Sequence, residues 1–232
     1  MIRLGLSFLA VAVFLLGSST AVGQATVVTV PVGDAPTIDG KIDDTEWADA
    51  IRLPLHGGEG LYLKRAGQQL YIAIRGAAGG IGSICLGNTD SIRVLHASTA
   101  LITASYERVE EGWRLVHGFR GPRRETGERF AREEVGRTES YRLAQLEQFG
   151  WVANVVDVGP ATDMEYRVEL ASVTDSVIHM SVVFLQARAP TRLAHAPTGL
   201  ADAALDTELV AGTAHDGLAF VPTSWLELRF SR

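Results

Sequence analysis

Apolar residues along this 232-residue chain recur mostly at every second position, in short runs broken by Gly, Pro, Asp and Asn. A period of two sends alternate side chains to opposite faces of an extended strand, and the breakers supply the turns. The runs predict strands over residues 27–32, 51–55, 61–65, 70–76, 91–97, 100–109, 113–119, 151–158, 164–170, 177–186 and 224–230. Their brevity, with no long helix between successive strands, predicts an all-β fold: a two-sheet antiparallel β-sandwich with short peripheral helices. Alternation is cleanest in MEYRVEL, where Met164, Tyr166, Val168 and Leu170 oppose Glu165, Arg167 and Glu169. That pattern predicts one buried face and a charged ladder in solvent. The last strand, SWLELRF, repeats it with Trp225, Glu227 and Arg229 against Leu226, Leu228 and Phe230.

Three stretches depart from strand grammar. Residues 120–139 are densely charged, with Glu125 and Arg129, Glu128 and Arg132, and Glu133 and Arg137 each four apart, acid first, the favourable order for a solvated helix. YRLAQLEQFG, 141–150, reads as a helix stopped by its glycine, and Leu200, Ala204, Leu205 and Leu209 mark another over 197–212. GAAGGIGS, 76–83, has neither phosphate-binding glycine pattern and does not open a helix, so it reads as a flexible turn.

The first 25 residues carry one arginine and then a long Leu-, Val-, Ala- and Phe-rich run with small residues at its end, the grammar of a secretory signal. Residues 26–232 then form one β-sandwich domain in an exported protein, periplasmic or extracellular. No later apolar run reaches the length of a bilayer, so no membrane span is expected after signal removal. A net charge of -6 argues against nucleic acid as a partner. Cys85, the single cysteine, flanked by Ile84 and Leu86, reads as a buried small hydrophobe, and the fold must be held by its core.

TIDGKIDDTEWADA, 37–50, concentrates acids around a turn. Asp43 stands three before Glu46, the spacing of a capping box, with Trp47 and Ala50 on the inner side of a short helix. The alternative use of Asp39, Asp43, Asp44 and Glu46 is a calcium site, which wants six to eight oxygens and would have to recruit ligands from elsewhere. This stretch, followed by Leu61-Tyr62-Leu63 and LYIAIRG, resembles the opening of family-nine-like carbohydrate-binding modules; MEYRVEL and SWLEL fit later landmarks. The resemblance implies a β-sandwich, export, a sugar-binding surface and a structural calcium, with carbohydrate as partner. It also implies that Trp47 is structural, while the tryptophan pair that clamps a terminal sugar in such modules has no counterpart that can be placed on this chain.

Sugar recognition needs flat aromatic faces and fixed polar groups in a concavity. Trp113 and Trp151 begin apolar strands where a ring can emerge at the rim, and Tyr106, Tyr141 and Glu165 are the further candidate contacts. The six histidines, 56, 96, 117, 179, 195 and 215, show no metal-site spacing, and no GxSxG elbow is present. Opposed carboxylates among Asp157, Glu165 and Glu169 would be needed for glycoside hydrolysis. The reading is a non-catalytic exported domain binding a glycan or envelope polysaccharide. Its rivals are a structural or protein-interaction domain, with an envelope protein as partner, and a glycan hydrolase. Buried Trp113 and Trp151 would favour the structural rival.

Overall fold

A computed structural model describes residues 26–55, 60–98, 101–120, 139–170, 177–186, 192–196 and 220–230. The signal-like leader and the helices expected over 120–139 and 197–212 lie outside the described residues, except for Arg120, which ends β8, and Glu139, which opens α1. Thirteen strands and one α-helix are described: β1 (Thr26–Val30), β2 (Ile51–Leu53), β3 (Gly60–Ala66), β4 (Gln69–Ala77), β5 (Gly80–Gly87), β6 (Ser91–Ala97), β7 (Leu101–Val109), β8 (Gly112–Arg120), α1 (Glu139–Phe149), β9 (Trp151–Val158), β10 (Ala161–Glu169), β11 (Ile178–Gln186), β12 (Arg192–Ala196) and β13 (Leu226–Phe230).

The larger sheet runs β1-β13-β11-β5-β6-β7-β8 with β12 paired to β11, and the smaller runs β2-β3-β4-β10-β9. Every strand pairing is antiparallel except β1 with β13, which lie parallel with Thr26 opposite Leu226 and Val30 opposite Phe230. The chain crosses between sheets at residues 31–33, where Arg65 N–H donates to the Pro31 carbonyl and Gly33 N–H to the Arg65 carbonyl, both at 2.9 Å. The all-β sandwich expected from the alternation is the observed fold.

Three apolar clusters stack through it. The main one fills the space between the sheets with Leu63, Ile72, Ile84, Leu95, Trp151, Tyr166, Val182, Phe184 and Leu228 among others. A second, of Ile92, Val94, Ala104, Tyr106, Trp113, Phe220 and Trp225, covers the outer face of the larger sheet. The third, of Ile38, Ile42, Trp47, Tyr71 and Ala73, lies between residues 38–47 and the outer face of the smaller sheet. Both sheets thus carry packed apolar residues on both faces.

Two sequence expectations are corrected. Residues 80–83, read as part of a flexible glycine turn, open β5 in the middle of the larger sheet, between β11 and β6. The glycines are needed there because side chains cross the strand closely: a Cβ at Gly80 would stand 1.7 Å from Phe184 Cζ, and one at Gly82 would stand 2.6 Å from Met164 Sδ. Secondly, the acid ladder of β10 does not face solvent along its length, since Asp163 and Glu165 are buried under the segment 37–50. α1 ends as expected: Gly150, at φ +66°, donates its N–H to the Leu146 carbonyl at 2.8 Å. β12, which carries His195, was not foreseen.

Candidate functional site

The opening acids of TIDGKIDDTEWADA are spent on folding the segment and fastening it. Asp43 accepts the Thr45 N–H at 2.8 Å and the Glu46 N–H at 3.3 Å, and also the Thr45 hydroxyl. This is the capping half of the expected box. Glu46 does not reach back to Asp43; it accepts the Thr37 N–H at 3.3 Å, and the segment forms turns in place of a regular helix. Asp39 accepts from Lys41 N–H at 2.8 Å, and Asp44 is exposed. Asp39, Asp43, Asp44 and Glu46 therefore do not converge on one point, and no group of three His, Cys, Asp or Glu among the described residues is arranged to hold a metal. Among the described residues these four carboxylates do not by themselves make up the six to eight oxygens of a calcium site.

Beneath the segment, Glu165 accepts three hydrogen bonds: Trp47 Nε1–H at 2.8 Å, Gly40 N–H at 2.8 Å and Asp39 N–H at 3.1 Å. Burial pushes its carboxyl up to about 7 against the pull of those donors, and the nearby Asp39 carboxylate adds to the rise. Asp163 takes the Arg75 guanidinium at 2.7 Å through each of two nitrogens and the Ile42 N–H at 3.1 Å, while Arg75 also donates to the Ile42 carbonyl at 2.9 Å. The bidentate Asp163 partner raises the Arg75 pKa further. Lys64, fully buried, pairs with Asp49 at 2.7 Å, donates to the Glu46 carbonyl and lies 5.2 Å over the Trp47 ring. Trp47 is structural, as the resemblance implies, and Glu165 is its acceptor and not a surface contact.

The predicted tryptophans are interior. Trp151 is fully buried, stacks on Tyr166 at 6.0 Å and donates its indole N–H to Thr103 Oγ1 at 2.8 Å. Trp113 is 4% exposed, set edge-on to Phe220 at 5.8 Å, with its N–H on the Phe220 carbonyl at 2.8 Å. Tyr106 packs in the same cluster, 4.8 Å from Phe220. Tyr141 lies in the first turn of α1, and its side chain is outside the described residues. The structure thus brings Trp113 and Tyr106 together in a packed layer, Trp151 in another and Glu165 in a third; none offers a ring face to solvent.

Among the described residues a concavity lies elsewhere, at the β9 edge of the smaller sheet, where the inner face of β6, β7 and β8 runs out from under its partner. Arg93 shares the inward parity of Leu95 and Ala97 but stands beyond the packed core, and Thr103 and Ser105 follow Leu101 in the same way. His117 has the parity of Trp113 and Leu115, which pack outward. The register between β7 and β8 shifts around Ser105, pairing it with His117 while Tyr106 pairs with Leu115. This bulge carries one extra residue, Val116, and turns His117 to the groove side. The end of α1, from Glu147 to its Gly150 cap, forms one wall, and Glu169 at the end of β10 completes it. Glu169 N–H donates to the Gly150 carbonyl at 2.8 Å, which ties that wall to the sheet.

The cavity so enclosed is about 530 Å³, within the usual range for small-molecule sites. Its polarity has clear origins. Arg93 donates to the Phe149 carbonyl at the negative end of α1, and burial lowers the guanidinium's pKa. Trp151, under the floor, fixes Thr103 by its N–H bond, so one predicted residue acts on the groove through another. Sequence reasoning missed Arg93, Thr103, Ser105, Gln148 and Phe149. The detectable signal was a charge, Arg93, at a position with core parity.

A second buried polar group sits on the outer face of the larger sheet. His96 Nδ1 is 3.0 Å from Ser83 Oγ and Nε2 is 3.0 Å from Ser98 Oγ, and burial lowers its pKa to about 4, so the ring is neutral. With both ring nitrogens at hydrogen-bond distance from serine hydroxyls, the arrangement is a satisfied core histidine.

No family model and no curated protein matches the sequence. Among solved structures, a Bacteroides uniformis protein provisionally named as carbohydrate-binding superposes with a TM-score of 0.50 at 6% identity, over 90% of this chain and 100% of that one. A family 9 carbohydrate-binding module from Caldicellulosiruptor kristjanssonii in complex with cellotriose gives a TM-score of 0.44 at 10% identity, covering 88% and 93% of the two chains. The same organism's module in complex with glucose gives 0.44 at 12% identity, covering 89% and 96%. At 6% identity the Bacteroides uniformis likeness is one of fold alone.

Proposed function

We propose that this protein is a non-catalytic binding domain that holds a glycan in the groove between α1 and the inner face of β6 to β8. The observation that carries the reading is the groove itself: a half-open concavity of about 530 Å³ whose wall sets Phe149 and Gly150 beside the hydroxyls, amide and charged groups that sugar hydroxyls require. The carbohydrate-binding name carried by the Bacteroides uniformis protein of the same fold supports it. The signal-like residues 1–25 support a place in the periplasm or outside the cell. Among the described residues no helix is long and apolar enough to cross a membrane.

The test is a glycan array probed with the protein lacking residues 1–25, repeated with Ser105→Phe, which fills the groove from a strand position. Binding that disappears in the filled variant at unchanged melting temperature is the expected result. A folded protein with no glycan signal would sink the proposal and leave the structural or protein-interaction reading, which the burial of Trp113 and Trp151 favours. Release of reducing ends from a bound glycan would instead establish the hydrolase.

A further inference from the structure

We infer that the acid-rich segment 37–50 is held down by the protein's own cations, Arg75 and Lys64, each seated among oxygens of the kind a divalent metal ion takes, so that the segment closes without metal. The argument is one of occupied oxygens and stands apart from the groove. Calcium binds through carboxylate and main-chain carbonyl oxygens together. The Arg75 fork, from β4, spans both oxygens of Asp163 at 2.7 Å and reaches the Ile42 carbonyl at 2.9 Å. Lys64, from β3, repeats the scheme with the Asp49 carboxylate at 2.7 Å and the Glu46 carbonyl. Each cation thus joins one carboxylate to one main-chain oxygen of the segment.

Glu165, the other acid beneath the segment, is engaged at both oxygens. One takes the Trp47 indole N–H, and the other takes the main-chain N–H groups of Asp39 and Gly40. A metal ion arriving at Asp163 or Asp49 would have to displace Arg75 or the fully buried Lys64 and leave that cation without its carboxylate. Stranding a charge in the interior is costly, so the seats are better filled as they stand.

Two measurements test this. The melting temperature of the natural protein is expected to be the same in excess EDTA and in excess calcium; a rise of several degrees with calcium would overturn the inference. Amide exchange, read by mass spectrometry on peptides covering 37–50, reports the fastening locally. Arg75→Ala is expected to speed exchange there by about tenfold or more, the scale of one charge-assisted hydrogen bond. Methylguanidinium in the buffer is expected to slow it again in that variant and not in the natural protein, because the Arg75 side chain is 27% exposed and its seat is open to a small cation. Arg75→Lys keeps the charge but cannot fork across both Asp163 oxygens, so it is expected to speed exchange by a smaller factor, and it carries the test if Arg75→Ala does not fold. Exchange over 37–50 left unchanged by the substitutions, or not slowed by methylguanidinium in a folded Arg75→Ala, would overturn the inference. Glycan binding is not among these readouts, so the two proposals fail separately.

Discussion

The two ends of β10 carry the same kind of sequence and live in opposite surroundings. Asp163 and Glu165, at one end, lie under the segment 37–50, and between them they accept six hydrogen-bond contacts from Arg75, Ile42, Gly40, Asp39 and Trp47. Glu169, at the other end, lies outside that segment and borders the groove. What separates Asp163 and Glu165 from Glu169 here is the segment 37–50 packed over them. The covered end is a rigid fastening in which each acid has a fixed set of donors.

The largest effect should come from the covered end. Asp163→Ala strands the Arg75 guanidinium and is expected to lower unfolding free energy by about 3–5 kcal/mol in urea titrations. A loss under about 1 kcal/mol would show that water takes over the role of Asp163. Next comes pH. Glu165 holds its proton up to about 7 in the folded protein against an ordinary 4.5, so the folded state binds more protons in that window and stability falls as pH rises through it. His96 works oppositely: its folded value of about 4 against 6.5 means that stability is lost as pH falls through that interval. The two slopes nearly cancel in the natural protein. Glu165→Gln should uncover a rise in melting temperature from pH 4 to 6.5, worth on the order of 2 kcal/mol; a profile parallel to the parent's would show that Glu165 is ionised throughout.

A smaller effect is expected for Trp47→Phe, which deletes one donor to Glu165 and keeps most of the ring, at about 1–3 kcal/mol by thermal melts. The smallest belongs to the open end: Glu169→Gln should change stability by no more than about 1 kcal/mol. Should it match Asp163→Ala, the contrast between the two ends of β10 would be gone.

The sandwich was legible because Leu63, Ile72, Met164, Tyr166 and Leu228 keep a strict two-residue beat with one face inward. β5 was missed because glycine there serves the close passage of Phe184, and such a distant neighbour leaves no local mark in the sequence. Trp113 and Trp151 were read as rim residues because a strand start is usually exposed. Here a second apolar layer covers the larger sheet, so even outward parity ends in the interior. The groove was the least legible part. Its making depends on a bulge at Ser105 that reverses the parity of His117, and on a helix end brought to Arg93 from more than fifty positions away along the chain.

The parallel pairing of β1 with β13 has a mechanical consequence. Thr26 lies beside Leu226 and Val30 beside Phe230, so the amino end of one strand and the carboxyl end of the other leave the ladder in opposite directions. Tension between those ends slides the two strands past each other and loads their hydrogen bonds together, whereas an antiparallel pair of terminal strands would open one bond at a time. Stretched from both sides, the domain should resist as a shear clamp.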